Sequence, residues 1–198
     1  MSRIAKPSVA LPIALALAIS AHGQGKIEGQ GAATRFISEK YGFSIAVPPG
    51  WHASLERDLP IYVNFTETRG PQQLTLPAHG ATIVVVAQET LPGRRRLAKS
   101  PSDWAEIDAR GVSSGDPAIS AMEMPKESGV SKATTSSYDE ATFSADDQAQ
   151  HSLAAFWEFD HKLFAAHLNY IVNDPDGPTL EKLLLETIRS IRPLKPNH

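Results

Sequence analysis

The chain has 198 residues, with 19 Lys and Arg against 22 Asp and Glu, a net charge of −3 and no cysteine. That length suits one domain with a core large enough to stand without covalent staples. The missing thiols exclude cysteine nucleophiles, Cys-ligated zinc, iron–sulfur clusters and a lipid-modified N-terminal cysteine, and the weak acidity favours neither nucleic acid nor an anionic membrane as a partner.

The first residues set the compartment. Arg3 and Lys6 precede an apolar run at 9–19, VALPIALALAI, which is shorter than the ~20 residues a membrane span needs and is followed by the small residues of SAHG. Residues 1–23 therefore read as a secretory signal peptide, cleaved after Gly23 or, as the alternative, after Ala21. A retained anchor or interfacial helix is the competing reading, and Pro12 inside the run weakens it. Removing Arg3 and Lys6 with no acid takes the net charge from −3 to −5, leaving an acidic chain that is expected to be exported, periplasmic or secreted, without stable membrane insertion.

Residues 24–34, QGKIEGQGAAT, offer little to bury and read as a flexible leader before a single domain at 35–195. Residues 35–38 open a first strand. In YGFSIAVPPGW, at 41–51, Phe43, Ile45 and Val47 alternate with smaller residues, and Pro48, Pro49 and Gly50 end the strand and turn the chain toward Trp51. Residues 61–66 and 81–89 continue the sheet, the second of these as a central strand because both its faces are apolar. Asn64-Phe65-Thr66 has the form of a glycosylation acceptor, which a strand placement opposes.

Ser100-Pro101-Ser102-Asp103 is a helix start, with a capping serine and proline at the first helical position. The helix is expected to reach Arg110, present Trp104, Ala105, Ile107 and Ala109 inward, and stop at Gly111. Residues 118–124 read as a strand, and a polar edge strand is expected at 134–138 or 141–144. Residues 153–159 and 163–172 form a tight hairpin about Asp160-His161-Lys162, and after the turn at 173–178 an amphipathic helix at 179–191 carries Leu180, Leu183, Leu184, Ile188 and Ile191 on one stripe. Pro193 stops it. The result is an α+β domain with helices covering a twisted antiparallel sheet.

YGFSIAVPPGW near the start and LLLETIRSIRP at the end resemble the PsbP/Mog1-like group, whose members open on a Gly-Phe-Ser-Phe-like strand with a Pro-Gly-Trp turn and close on a helix with a Ser-Ile/Phe-Arg tail. The resemblance spans most of residues 35–193. It implies an α/β/α sandwich about a central twisted antiparallel sheet, and a role like those of the group: photosystem accessory subunit, binder of a nuclear-transport GTPase, or exported bacterial protein. It carries over no catalytic residue. The absence of cysteine departs from the lipid-anchored relatives.

Three constellations bear on chemistry. His52, His79, His151, His161 and His167 include no helical i,i+4 pair with a following acid, so no metal ligand set is assigned, although Asp160, His161 and His167 lie close enough in sequence to converge at the hairpin. No Gly-x-Ser-x-Gly elbow exists, since Gly111-Val112-Ser113-Ser114-Gly115 follows a helix and has its serines out of register. No phosphate-cradling glycine loop and no cofactor motif appears. Arg94, Arg95 and Arg96, with Lys99 nearby, are the one concentrated basic run, suited to a carboxylate, phosphate or acidic protein surface and otherwise a solvated loop. The function expected is that of a non-catalytic exported accessory or binding protein with an envelope or extracellular protein partner. The alternative is a small secreted hydrolase with an Asp/His site near the hairpin.

Overall fold

A computed structural model describes residues 25–55, 63–66, 81–90, 98–110, 113–140 and 149–195. Residues 1–23, read above as a signal peptide, Arg94 to Arg96, His79 and the alternative edge strand at 141–144 lie outside the described residues.

Eleven strands are present among these, in two antiparallel sheets. The smaller sheet orders β1 (Lys26–Glu28), β2 (Arg35–Ser38), β3 (Phe43–Ala46) and β11 (Arg192–Pro193) as β1-β2-β3-β11. The larger runs β4-β5-β6-β10-β9-β8-β7, built from β4 (His52–Leu55), β5 (Val63–Thr66), β6 (Thr82–Ala87), β7 (Ala118–Ala121), β8 (Lys132–Glu140), β9 (Gln150–Phe159) and β10 (Lys162–Ile171). Helix α1 (Pro101–Ala109) covers one face of the larger sheet; α2 (Gly177–Arg189) and the smaller sheet cover the other. The α+β class and the layered arrangement are those expected.

Period-two alternation produces this layering. On β10, Phe164, Ala166, Leu168 and Tyr170 enter the core under α2, while Ala165 enters the smaller core under α1. Strand β9 divides likewise, Leu153, Ala155 and Trp157 one way and Ala154 and Phe156 the other. Small residues beneath α1 let Trp104, fully buried, tilt against Phe156 at 5.5 Å. The cap is as expected: Ser100 Oγ accepts from the Asp103 N–H at 3.1 Å, with Pro101 following. Asp160 and His161 both take positive φ (48° and 59°), the backbone a two-residue hairpin of this twist requires.

Five expectations are corrected. Residues 26–28, expected in a flexible leader, form β1, because backbone pairing with β2 compensates for their lack of apolar surface. The polar segment at 134–138 is not an edge: β8 lies between β7 and β9, and its buried positions are small or hydroxyl-bearing, Ala133, Thr134, Ser136 and Tyr138. There are two sheets, not one, because β2 and β3 pair with β1 and β11 and not with the larger sheet, and α2 ends at Arg189, short of Pro193. The α2 helix begins at Gly177, since a Cβ there would sit 2.8 Å from the Tyr170 ring and only glycine allows the helix so close. Leu185, not Leu183, joins Leu180, Leu184 and Ile188 in the core.

Phe164 is the centre of the main core, with Tyr41 and Phe43 edge-on at 5.2 Å each and Trp157 stacked at 5.7 Å. Phe164→Ala should cost about 3–5 kcal/mol, read as a lowered urea midpoint, whereas Ile119→Ser on exposed β7 should change stability by less than about 0.5 kcal/mol.

Candidate functional site

The strands of the β9–β10 hairpin have two ends, and each carries a polar assembly. At the turn end, a cavity of about 390 Å³ is walled by Gln88 and Glu89 of a 3-10 turn (Gln88–Thr90), by Ala98 and Lys99 before α1, and by Glu158, His161, Lys162 and Leu163 of the hairpin. Tyr41, at the strand-and-turn motif, donates to Glu89 Oε1 at 2.6 Å, and Lys40 donates to the Tyr41 hydroxyl at 2.9 Å and pairs with Glu89 at 3.3 Å. The Tyr41 bond, helped by Lys40, holds the Glu89 carboxyl below its ordinary range, while burial and the Glu89 bond push the Tyr41 phenol up.

The charge of Glu89 is thus met from outside the cavity. His161 Nδ1 approaches Glu158 Oε1 at 3.8 Å but is 96% exposed. Lys162 lies 5.0 Å over the Tyr41 ring, and among the described residues no carboxylate is within ion-pair reach of Lys162 or Lys99. Lys99 and Lys162 thus line the cavity, beside Glu89 and Glu158, without an ion pair of their own among the described residues. Residues 91–97, which contain the arginine run, follow the 3-10 turn and precede Ala98 in the chain, and Gln88, Glu89 and Ala98 belong to the cavity wall.

At the far end, on the α2 face, Asp139 and His151 stand directly opposite on β8 and β9, with Ser137 two residues back on the same face. His151 Nδ1 is 2.6 Å from Asp139 Oδ1, and Nε2 is 3.0 Å from Ser137 Oγ. Glu181 of α2 places Oε1 3.4 Å from the same Nε2 and accepts the Tyr170 hydroxyl at 2.7 Å, and Tyr170 packs its ring 5.1 Å from the imidazole. On the α1 face of the same strands, Tyr138 donates to Asp108 Oδ2 at 3.1 Å, His167 Nδ1 lies 3.6 Å from that oxygen, and the buried Ser152 hydroxyl meets Glu140 and Asn169.

The structure therefore separates what the sequence grouped. His161 stays in solvent at the turn, and His167 lies under α1 with Asp108, so Asp160, His161 and His167 do not converge. Trp104 and Trp157 are fully buried and Trp51 packs on the main core, as packing residues. Asn64 sits in β5, paired on both sides. Among the described residues no group of three His, Asp or Glu is arranged to hold a metal ion, and no helix is long and apolar enough to cross a membrane. The Ser137, Asp139 and His151 set escapes sequence reading because its signal, Ser-x-Asp on one strand opposite His on another, depends on strand register.

Burial, followed by the Asp108 carboxylate, raises the Tyr138 phenol, and burial followed by Glu181 raises that of Tyr170. The native state keeps protons that the unfolded chain gives up near pH ~10, so this stabilisation is whole below about pH 10 and falls as pH climbs past it. Urea unfolding between pH 8 and 11 should show that decline. Tyr138→Phe should flatten it while costing about 1–2 kcal/mol at pH 8 through the lost bond; an unchanged slope would contradict the assignment.

No family model matches the chain, and no curated protein matches it. Among solved structures it is similar to LpqN, involved in cell envelope biogenesis of Mycobacterium tuberculosis, at 14% identity and a TM-score of 0.47 over 77% of this chain and 83% of that one. It is similar to cyanobacterial PsbP from Synechocystis sp. PCC 6803 at 17% identity and a TM-score of 0.47, covering 87% and 98%. It is also similar to the Saccharomyces cerevisiae Ran-binding protein Mog1p at 11% and 0.46, covering 87% and 97%. Structures of the PsbP/Mog1-like group, which the strand-and-turn and terminal-helix motifs resemble, are thus among those to which this chain is similar.

Proposed function

We propose that this chain is an exported, non-catalytic accessory protein that docks an acidic group of an envelope or extracellular protein partner in the cavity at the hairpin turn. One observation carries the reading: Lys99 and Lys162 face that cavity without an ion-pair partner among the described residues, while Glu89 is already satisfied by Tyr41 and Lys40. Ammonium groups without an ion pair, one on β10 and one beside the capped start of α1, attract a carboxylate or phosphate. The sequence run Arg94, Arg95 and Arg96 carries three further positive charges between Thr90 and Ala98, and it is retained in this proposal as the binding segment. The cleaved leader at 1–23 supplies the route out of the cytosol.

Docking of this kind is salt-sensitive and depends on charge sign. A photo-crosslinking amino acid at position 161, expressed in intact cells, should capture one abundant companion, and the same probe at exposed position 186 on α2 should not. Lys99→Glu with Lys162→Glu should abolish the position-161 product while leaving the melting temperature near that of the parent. A product that survives this double reversal, or a chain recovered from the cytoplasm with its leader intact, would overturn the reading.

A further inference from the structure

The assembly on the α2 face has a chemistry separate from the cavity at the turn. An ionised carboxylate only accepts hydrogen bonds, so the 2.6 Å contact makes His151 Nδ1 the donor to Asp139. In the neutral ring Nε2 is then the acceptor, and the 3.0 Å contact makes the Ser137 hydroxyl the donor to it. A hydroxyl directed at an imidazole whose other nitrogen is fixed by a carboxylate is the arrangement that activates a serine. Glu181 Oε1 lies 3.4 Å from Nε2, and Asp139 Oδ1 lies 2.6 Å from Nδ1 on the other side of the ring. Tyr170 restrains the ring and Glu181 together.

The same geometry limits the chemistry after attack. Ser137 sits mid-strand, paired with Ala118 of β7 and Leu153 of β9, so its backbone N–H serves the ladder and cannot point at a developing oxyanion. One missing oxyanion donor costs about 100–1,000-fold in turnover. Ser137 is only half-buried, with exposed Ala118 beside it, so the site is open to reagents.

We infer that Ser137 is an activated nucleophile and a covalent modification site, taking one acyl or phosphonyl group from an activated electrophile with His151 as general base and retaining it. In the step, Ser137 Oγ bonds to the electrophilic carbon or phosphorus, His151 Nε2 receives the hydroxyl proton, and the leaving group departs with the electron pair of its broken bond. The imidazolium returns the proton to the leaving group or to solvent.

Diisopropyl fluorophosphate is a suitable probe, since fluoride leaves and the adduct is stable. The full chain should gain one diisopropyl-phosphoryl group, mapped by peptide mass spectrometry to Ser137. His151→Gln should slow labelling by about 100-fold or more. Asp139→Asn should slow it by about 10-fold or more, through loss of the tautomer lock, and Ser152→Ala on the opposite face should leave the rate unchanged. A merely structural histidine would leave the labelling rate of folded His151→Gln protein equal to that of the parent. With 4-nitrophenyl acetate, about one nitrophenolate per chain should be released through Ser137. No adduct, an adduct elsewhere, or equal rates in folded parent and His151→Gln protein would overturn the nucleophile; sustained ester turnover lost in Ser137→Ala would overturn its role as an acceptor that holds the group.

Discussion

The Phe164 ring is enclosed by Tyr41, Phe43 and Trp157, at 5.2, 5.2 and 5.7 Å, and this packing ties the smaller sheet to the larger one. Phe43 comes from β3, Trp157 and Phe164 from the central hairpin, and Tyr41 from the turn before β3. Because the Tyr41 ring is fixed against Phe164, its hydroxyl is fixed too, and it reaches Glu89 at the rim of the cavity. The apolar core thereby determines which charge is neutralised there and which are left facing solvent. A polar site on this protein is positioned by aromatic packing, not by a dedicated loop.

Both faces of β9 and β10 are covered, and that requirement explains their composition. Ala154, Ala155, Ala165 and Ala166 are all fully buried, and their small size lets layers approach from either side at the point where α1 and α2 cross the sheet. The large side chains, Phe156 beneath α1 and Trp157 and Phe164 beneath the smaller sheet, fill the remaining space. Three tyrosine hydroxyls then fasten outer segments to this slab through carboxylates: Tyr41 to Glu89, Tyr138 to Asp108 of α1, and Tyr170 to Glu181 of α2. Each places an apolar ring inside and a directed polar bond at the margin.

Much of this was legible in the sequence wherever apolar residues kept a period. The alternation at 43–47, 81–89 and 163–172 marked strands that the structure contains, Ser100-Pro101 marked the α1 start, and the leucine stripe marked α2. What could not be read was polar structure stabilised by its neighbours. Strand β8 buries Thr134 and Ser136 between two neighbouring strands, where hydropathy points to an edge, and β1 exists only as the pairing partner of β2. The sites were less legible than the fold for a related reason: Lys99 and Lys162 lie 63 positions apart and become neighbours only when the hairpin folds back beside the 3-10 turn.

The placement of Ser137, Asp139 and His151 arises from two elementary constraints. Side chains two apart on a strand share a face, and antiparallel pairing sets one residue directly opposite another. Ser-x-Asp on β8 opposite a histidine on β9 therefore brings hydroxyl, imidazole and carboxylate into contact without any special loop. The price of that simplicity is the ladder itself, which occupies the N–H that a strained strand-to-helix elbow would leave free. A flat strand can polarise a serine, but it does not by itself surround the tetrahedral centre with donors. The distinction between an activated residue and a turnover enzyme lies here in backbone geometry, not in which side chains are present.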